Sequence, residues 1–314
     1  MNINKAIESL NWKREPYGLY EPIEYTLAAG GKRLRPTLAL IASDLFGGKE
    51  EEVLPAALAL EIFHNFTLLH DDVMDKAPVR RGRPTVHVKW DENTAILSGD
   101  QMLIEAYKHL AQVPADKLPH VLCLFNEMAT GVCEGQQWDM EFEHRACVSI
   151  ADYMRMIEKK TSVLLAYAMQ IGGYIAGAND AQQKALYQYG LHIGLAFQIQ
   201  DDILDVYGDP ETFGKAIGGD ICCNKKTLLL LTAIEKADAA TKAELQHWLA
   251  VNDRNEEKIA AVTNLYNRLG VREAAETVME EHTALALAQL EVLPKNKANV
   301  SLRELAAKLV NRKS

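Results

Sequence analysis

Four stretches of the chain, 56–77, 93–113, 120–209 and 226–293, contain no proline. Within them apolar residues return at helical spacing, and Tyr189, Ile193 and Phe197 form one such row, four residues apart. Alternating runs closed by Asn-Gly or Asp-Gly turns are absent, so no hairpin is expected. Breaks fall at 46–50, 76–84, 112–119, 208–220 and 292–297, and no low-complexity linker divides the chain. The stretch "VLLAYAMQIGGYIAG" (163–177) is apolar nearly all round, as suits an inner helix. The expectation is an all-α fold: one large helical bundle forming a single domain over 1–314.

Hydrophobic residues at 48% and charged residues at 25% exclude wholesale disorder. A formal net charge of −9 gives no electrostatic ground for binding nucleic acid. The five cysteines (Cys123, Cys133, Cys147, Cys222, Cys223) are odd in number and lack paired zinc spacing, which suggests a reducing compartment. The N-terminus has no apolar signal core and no apolar run reaches the roughly 18 residues of a membrane span. A cytoplasmic protein without an integral membrane segment is expected.

The acidity has two foci. "LLHDDVMD" (68–75) sets Asp71, Asp72 and Asp75 within one helical turn, and "QIQDDILD" (198–205) repeats this with Asp201, Asp202 and Asp205. At 100° per residue Asp71 and Asp75 stand one above the other. Two full charges about 6 Å apart repel by about 3 kcal/mol at an effective dielectric near 20. Shifted pKa values, solvent screening or bound hard cations can each offset that cost. One such motif alone reads as a solvated acidic helix end. Two, each following an apolar run, favour buried helix ends that face each other as a polymetal cleft. Aspartate oxygens suit Mg²⁺, which fills its other positions with water and phosphate.

Cations lie close in sequence to both motifs: Lys32, Arg33 and Arg35; Arg80, Arg81 and Arg83; Lys159 and Lys160; Lys215, Lys225 and Lys226. Each cluster alone is a solvated surface. Beside the Asp motifs they read as diphosphate ligands, arginine by its fork and lysine as a point charge.

In order, "GGKRLRP", "LLHDDVMDKAPVRRGRPTVH", "GDQML", "GQQWD", "KKTS", "FQIQDDILD", "GKAIGGD" and "NKKT" cover roughly residues 25–230. With these the chain resembles the trans-isoprenyl diphosphate synthases, or polyprenyl synthetases, of the geranylgeranyl and farnesyl type. The resemblance implies an isoprenoid-synthase bundle, a homodimer, and head-to-tail condensation of isopentenyl diphosphate with an allylic diphosphate (dimethylallyl, geranyl or farnesyl). It implies that Asp71, Asp72, Asp75, Asp201, Asp202 and Asp205 gather about three Mg²⁺, with Asp71, Asp75 and Asp201 the most direct ligands. Arg80, Lys160 and Lys215 would hold the allylic diphosphate. Gln136, Asp139, Thr161 and Gln198 would form the polar shell, with Asp139 also close to the metals. Lys32, Arg35, His64 and Arg81 would hold isopentenyl diphosphate. His64 also lies seven residues before Asp71, two turns back on nearly the same face; the other reading is a satisfied core histidine. The family often has Gly-Lys before the last Thr, whereas here it is Asn224-Lys225-Lys226-Thr227. Alignment favours Lys225 as the diphosphate ligand and leaves Lys226 open. Arg312 and Lys313 either reach the isopentenyl site or belong to a frayed end.

The resemblance also implies chain-length gates four and five residues before the first Asp, here Thr67 and Phe66, with Phe63 a further candidate floor. One small and one large gate residue is a geranylgeranyl-like pattern, implying a C20 product with C15 next. Two competitors are a class I terpene cyclase and a non-catalytic synthase subunit. The cyclases usually pair one Asp motif with an Asn/Ser/Glu motif, and the subunits typically lose Asp motifs; this chain has both in full. A di-iron bundle needs paired Glu-x-x-His copies, and "EIFH" (61–64) stands alone.

Overall fold

The computed structural model describes residues 3–209, 217–251 and 256–310. Lys215, Arg312 and Lys313 therefore lie outside the described residues. Helices dominate in the order α1 (Ile3–Glu8), α2 (Tyr17–Leu27), α3 (Leu34–Asp44), α4 (Glu50–Met74), α5 (Val86–Lys89), α6 (Glu92–Leu110), α7 (Leu118–His144), α8 (Ile150–Ile157), α9 (Val163–Ile175) and α10 (Asp180–Tyr207). Further helices follow at Gly219–Cys222, Leu228–Lys236, Ala239–Leu249, Glu256–Arg268, Val271–Gln289 and Lys297–Val310. The fold is all-α, as expected from the apolar period.

The chain packs as two compact units. One comprises Met1–Asn126 and Tyr167–Leu186, the other Glu127–Ala166 and Tyr187–Ser314. Helices α7, α9 and α10 contribute residues to both.

In the first unit α4 packs chiefly against α6 and α3. Its middle is buried almost without interruption: Val53, Ala56, Ala57, Leu58, Ala59, Leu60, Ile62 and Phe63. Small alanines between the branched residues let neighbouring helices approach closely. This helix is long and apolar enough to cross a membrane by length and composition, which sequence reading did not anticipate. Yet 67% of its most apolar window is buried inside the protein, so the apolar surface is used in packing.

A two-stranded hairpin, β1 (Val79–Arg80) with β2 (Arg83–Pro84), follows α4 and corrects the expectation of none. Its two turn residues, Arg81 (φ 52°) and Gly82 (φ 72°), are both left-handed, as a type I′ turn requires. Arginine is an unusual choice there. Its Nη1 donates to the Gly30 carbonyl, and a Cβ on Gly31 would lie 2.8 Å from Nη2. A tertiary contact thus holds a turn that local residue preference does not signal.

In the second unit Leu228–Leu231 pack with Ile199, Ile203, Leu245, Val262, Leu265 and Tyr266. Between α8 and α9 the chain opens into a π-helical turn, Glu158–Ser162. Gly135 of α7 makes room for it: a Cβ there would lie 2.2 Å from the Lys160 backbone nitrogen. Such wide turns are frequent at functional sites.

Also in this unit, His192 and His282 face each other with their Nδ1 atoms 3.0 Å apart. Burial lowers the pKa of each, and for His192 the neighbouring His282 adds to the effect. A depressed histidine pKa means the unfolded chain binds more protons, so stability is present at neutral pH and lost as pH falls through the ordinary histidine range. The urea midpoint is expected to fall from pH 7 to pH 5, and His282→Gln to flatten part of that slope. An identical slope in the variant would exclude the pair as a source.

Candidate active site

Both Asp motifs lie at the C-terminal ends of long helices. Asp75 is the C-cap of α4, and Asp205 falls in the last turn of α10. A helix C-terminus already carries partial negative charge, so a carboxylate in the last turn costs about 0.3–1 kcal/mol. Acidic trios at two such ends disfavour the fold and suit cations.

The two motifs are also alike in burial. In each, the middle carboxylate is buried and bonded to the protein. Asp72 is 6% exposed and accepts from Arg80 Nε at 2.7 Å. Burial pushes its carboxyl above the usual range, and Arg80 offsets part of that. Asp202 is 5% exposed and accepts from the Tyr153 hydroxyl at 2.5 Å and from Gln198 Nε2 at 3.0 Å. Burial, with the charge of Asp220, pushes it up to about 7. Asp71, Asp75, Asp201 and Asp205 are less buried. Asp205 also accepts from the Asp220 backbone N–H at 2.9 Å, fixing the turn that opens helix Gly219–Cys222.

In the first unit, cations surround His64. Burial, then Arg35, Arg81, Arg80 and Arg33 in that order, hold its pKa well below the ordinary value, so the imidazole is neutral. A cluster of arginines around an uncharged hydrogen-bonding ring is a potential well for a polyanion. Arg33 has another task. It is buried, with Nη1 2.5 Å from Glu61 Oε1 and Nη2 2.5 Å from the Leu27 carbonyl. Asn65 Nδ2 donates to the same Glu61 oxygen at 2.9 Å. Of the "GGKRLRP" cations, Lys32 is exposed and Arg35 half-buried. Tyr25 secures the hairpin: its hydroxyl donates to the Pro84 carbonyl at 2.8 Å and its ring lies under Arg83.

In the second unit the "GQQWD", "KKTS" and "QIQDD" residues form two hydrogen-bonded groups that start from the adjacent Lys160 and Thr161. Lys160 Nζ donates to Asp139 Oδ2 at 2.5 Å, and Thr161 donates to Gln198 Oε1 at 3.0 Å, linking it to Asp202. Burial raises the Asp139 pKa, but Lys225 and Lys160 outweigh it and hold it below the ordinary range. Gln136 is half-buried one residue beyond Gly135. Lys226 instead donates to the Phe142 and Glu143 carbonyls at the end of α7. The charge of Lys225 acts on both Asp139 and Asp202, so this lysine faces both groups.

Sequence reading missed Tyr153, Asn65 and Tyr25, which carry no motif signal, and met Glu61 only in the discounted "EIFH" match. It also passed over Asp220, although this residue ends the quoted "GKAIGGD". Among the described residues no three His, Cys, Asp or Glu side chains converge closely enough to hold a metal. The donor chemistry nevertheless fits a hard cation: aspartate oxygens only, the outer ones less buried, at helix ends that disfavour negative charge.

The model of the polyprenyl synthetase family matches residues 16–267. The chain belongs to the polyprenyl synthetase family. It is 44% identical over 237 residues to a geranylgeranyl diphosphate synthase of Methanosarcina mazei, covering 75% of this chain and 73% of that protein. It is 38% identical over 292 residues to a short chain isoprenyl diphosphate synthase of Methanothermobacter thermautotrophicus, covering 93% and 89%. The solved geranylgeranyl pyrophosphate synthetase of Pyrococcus horikoshii superposes with a TM-score of 0.93 at 36% identity, over 99% of this chain and 95% of that one. Family membership thus agrees with the all-helical fold and with the two Asp motifs.

Proposed function

We infer that residues 1–314 act as one synthase domain that condenses isopentenyl diphosphate head-to-tail with an allylic diphosphate, ending mainly at C20. The observation that carries this reading is the pair of acidic helix ends, each with its middle aspartate buried and its outer ones less so, alongside the arginines around neutral His64. The names of the relatives support a short-chain product of this length.

Asp71 and Asp75 of the first unit, and Asp201 and Asp205 of the second, would hold Mg²⁺, with Asp72 behind the first pair and Asp202 and Asp139 behind the second. When bound, Mg²⁺ neutralises a diphosphate and makes it a better leaving group. The protein's own part is preorganised positive charge. Arg80, Lys160 and Lys225 are held by Asp72, Asp139 and the 222–227 turn, and stabilise charge developing on the departing diphosphate; Lys215 is assigned the same task from its motif. Thr161, Gln198 and Gln136 orient the acids of the second unit. Lys32, Arg35, Arg81 and His64 grip isopentenyl diphosphate, and His64, being neutral, both donates and accepts a hydrogen bond. Ionisation of the allylic C–O bond releases diphosphate and leaves a carbocation that the isopentenyl double bond attacks, and the released diphosphate accepts the proton whose loss restores the alkene.

Incubation with Mg²⁺, labelled isopentenyl diphosphate and C5, C10 or C15 primers tests the reading. Elongation ending at C20 is expected. No incorporation by folded protein with any primer overturns it.

Phe66 is proposed to set the length. It is half-buried, 5.5 Å from the fully buried Phe63 and 4.8 Å from His70, ring to ring. Phe63 packs edge-on against Phe125 at 5.3 Å, which supports a backing role behind Phe66. Thr67 is tied down by its hydroxyl to the His64 carbonyl at 2.8 Å. Phe66→Ala is expected to extend the product by about one or more five-carbon units, through the cavity that truncating an aromatic leaves. Sizing the dephosphorylated products checks this; an unchanged C20 end would remove Phe66 from the floor. A homodimer is proposed as well, supported by Leu97, Ile104 and Tyr107, which leave an apolar stripe 60%, 51% and 37% exposed along α6.

A further inference from the structure

Lys258, on helix Glu256–Arg268, is fully buried (0% exposed), and nothing in the mechanism above uses it. A buried ammonium is costly unless every proton finds an acceptor. Its three donors meet three oxygens: Val251 O at 2.7 Å, Asn224 Oδ1 at 2.8 Å and Cys222 O at 3.3 Å. None of these belongs to a carboxylate. Two come from the turn at 222–224, so the lysine clamps that turn onto the chain that follows helix Ala239–Leu249.

The turn needs holding. Asn224 is left-handed at φ 53°, a conformation asparagine tolerates but does not enforce. Its side chain is gripped from both ends, accepting from Lys258 and donating through Nδ2 to Leu249 O at 2.9 Å. The next residue is Lys225, whose backbone N–H donates to Asp220 O at 2.9 Å and whose charge acts on Asp139 and Asp202. Rotation at residue 224 would swing Lys225 away from those carboxylates.

We propose that Lys258 is a positioning residue: a buried clamp that fixes Asn224 and so aims the Lys225 ammonium at the allylic diphosphate. The proposal rests on the diphosphate reading of Asp139 and Asp202.

The test is Lys258→Met in the full chain, with Asn224→Gly as a second variant that keeps the left-handed backbone open and removes the grip. Both are to be checked for folding by circular dichroism. Lys258→Met is expected to raise KM for the allylic diphosphate about tenfold, the scale of one misplaced charge-assisted hydrogen bond. KM for isopentenyl diphosphate should stay within about twofold. In a Lys225→Ala background Lys258→Met should add almost nothing, since one acts through the other. Equal losses for both substrates, or full additivity with Lys225→Ala, overturn the proposal. If Lys258→Met fails to fold, Asn224→Gly decides by the same KM comparison. Calorimetric titration of inorganic diphosphate with Mg²⁺ separates the two readings. Wild-type binding that weakens in the variant upholds the clamp even if the wild-type chain elongates no primer. Equal binding by the folded variant, or no diphosphate binding by the wild-type chain, overturns the clamp.

Discussion

Asp71→Asn is expected to lower kcat by about 10³-fold, the scale of removing a group that stabilises transition-state charge. The same substitution should leave the metal-free protein as stable as before, or slightly more so. Asp71 lies in the last turn of α4, where a carboxylate opposes the helix dipole, and removing the charge returns about 0.3–1 kcal/mol. Addition of Mg²⁺ with diphosphate should raise the melting temperature of the wild-type chain, and that of Asp71→Asn by less, because ligand stabilisation follows affinity. Asp72→Asn is the companion variant. Its carboxylate is buried against Arg80 at 2.7 Å and burial holds its pKa up, so neutralising it should leave stability unchanged or slightly raised while loosening Arg80 and slowing the reaction. Steady-state kinetics and thermal melts, each with and without Mg²⁺, read both effects. Wild-type kcat in Asp71→Asn would sink the assignment of the first motif.

The two Asp motifs also show what was legible in sequence. The chemistry demands particular residue types at helical spacing, so "HDDVMD", "QIQDDILD", "KKTS" and the cations around them stand out on their own. The helical class was equally plain, because a 3.6-residue apolar period over long proline-free stretches has few other solutions. What could not be read depends on tertiary contact. The hairpin at 79–84 forms although Arg81 is a poor local choice, because its guanidinium bonds to the Gly30 carbonyl. The π-helical turn at 158–162 exists where Gly135 lets its backbone in. Adjacent cations divide their roles by what lies nearest: Lys226 is taken up by α7 carbonyls while Lys225 faces the acids. Spacing gives no means of telling such neighbours apart. The same holds for Arg33, which lies between two proposed ligands, Lys32 and Arg35, and points inward.

Glu61→Ala is expected to cost about 3–5 kcal/mol of stability, the range for breaking a buried ion pair by removing one partner. The side chains of Arg33 and Glu61 are only 6% and 3% exposed, and their contact is 2.5 Å. Removing Glu61 leaves a buried guanidinium with only the Leu27 carbonyl at Nη2, and also removes the side-chain acceptor of Asn65. The loss comes from that stranded charge more than from the attraction itself. The paired variant Arg33→Met with Glu61→Leu should therefore recover most of the stability lost by Glu61→Ala, since apolar residues of similar volume replace buried ion pairs at little cost. Activity should not recover with it. Arg33 is the left-handed N-cap of α3 (φ 48°) and bonds back to α2 through Leu27. It thereby fixes the backbone between Lys32 and Arg35, and its charge contributes to keeping His64 neutral. The double variant should show a near-normal urea midpoint with a raised KM for isopentenyl diphosphate. A double variant as unstable as Glu61→Ala would show that the pair contributes direct attraction rather than mutual neutralisation. A normal KM would show that Lys32 and Arg35 hold their places without it.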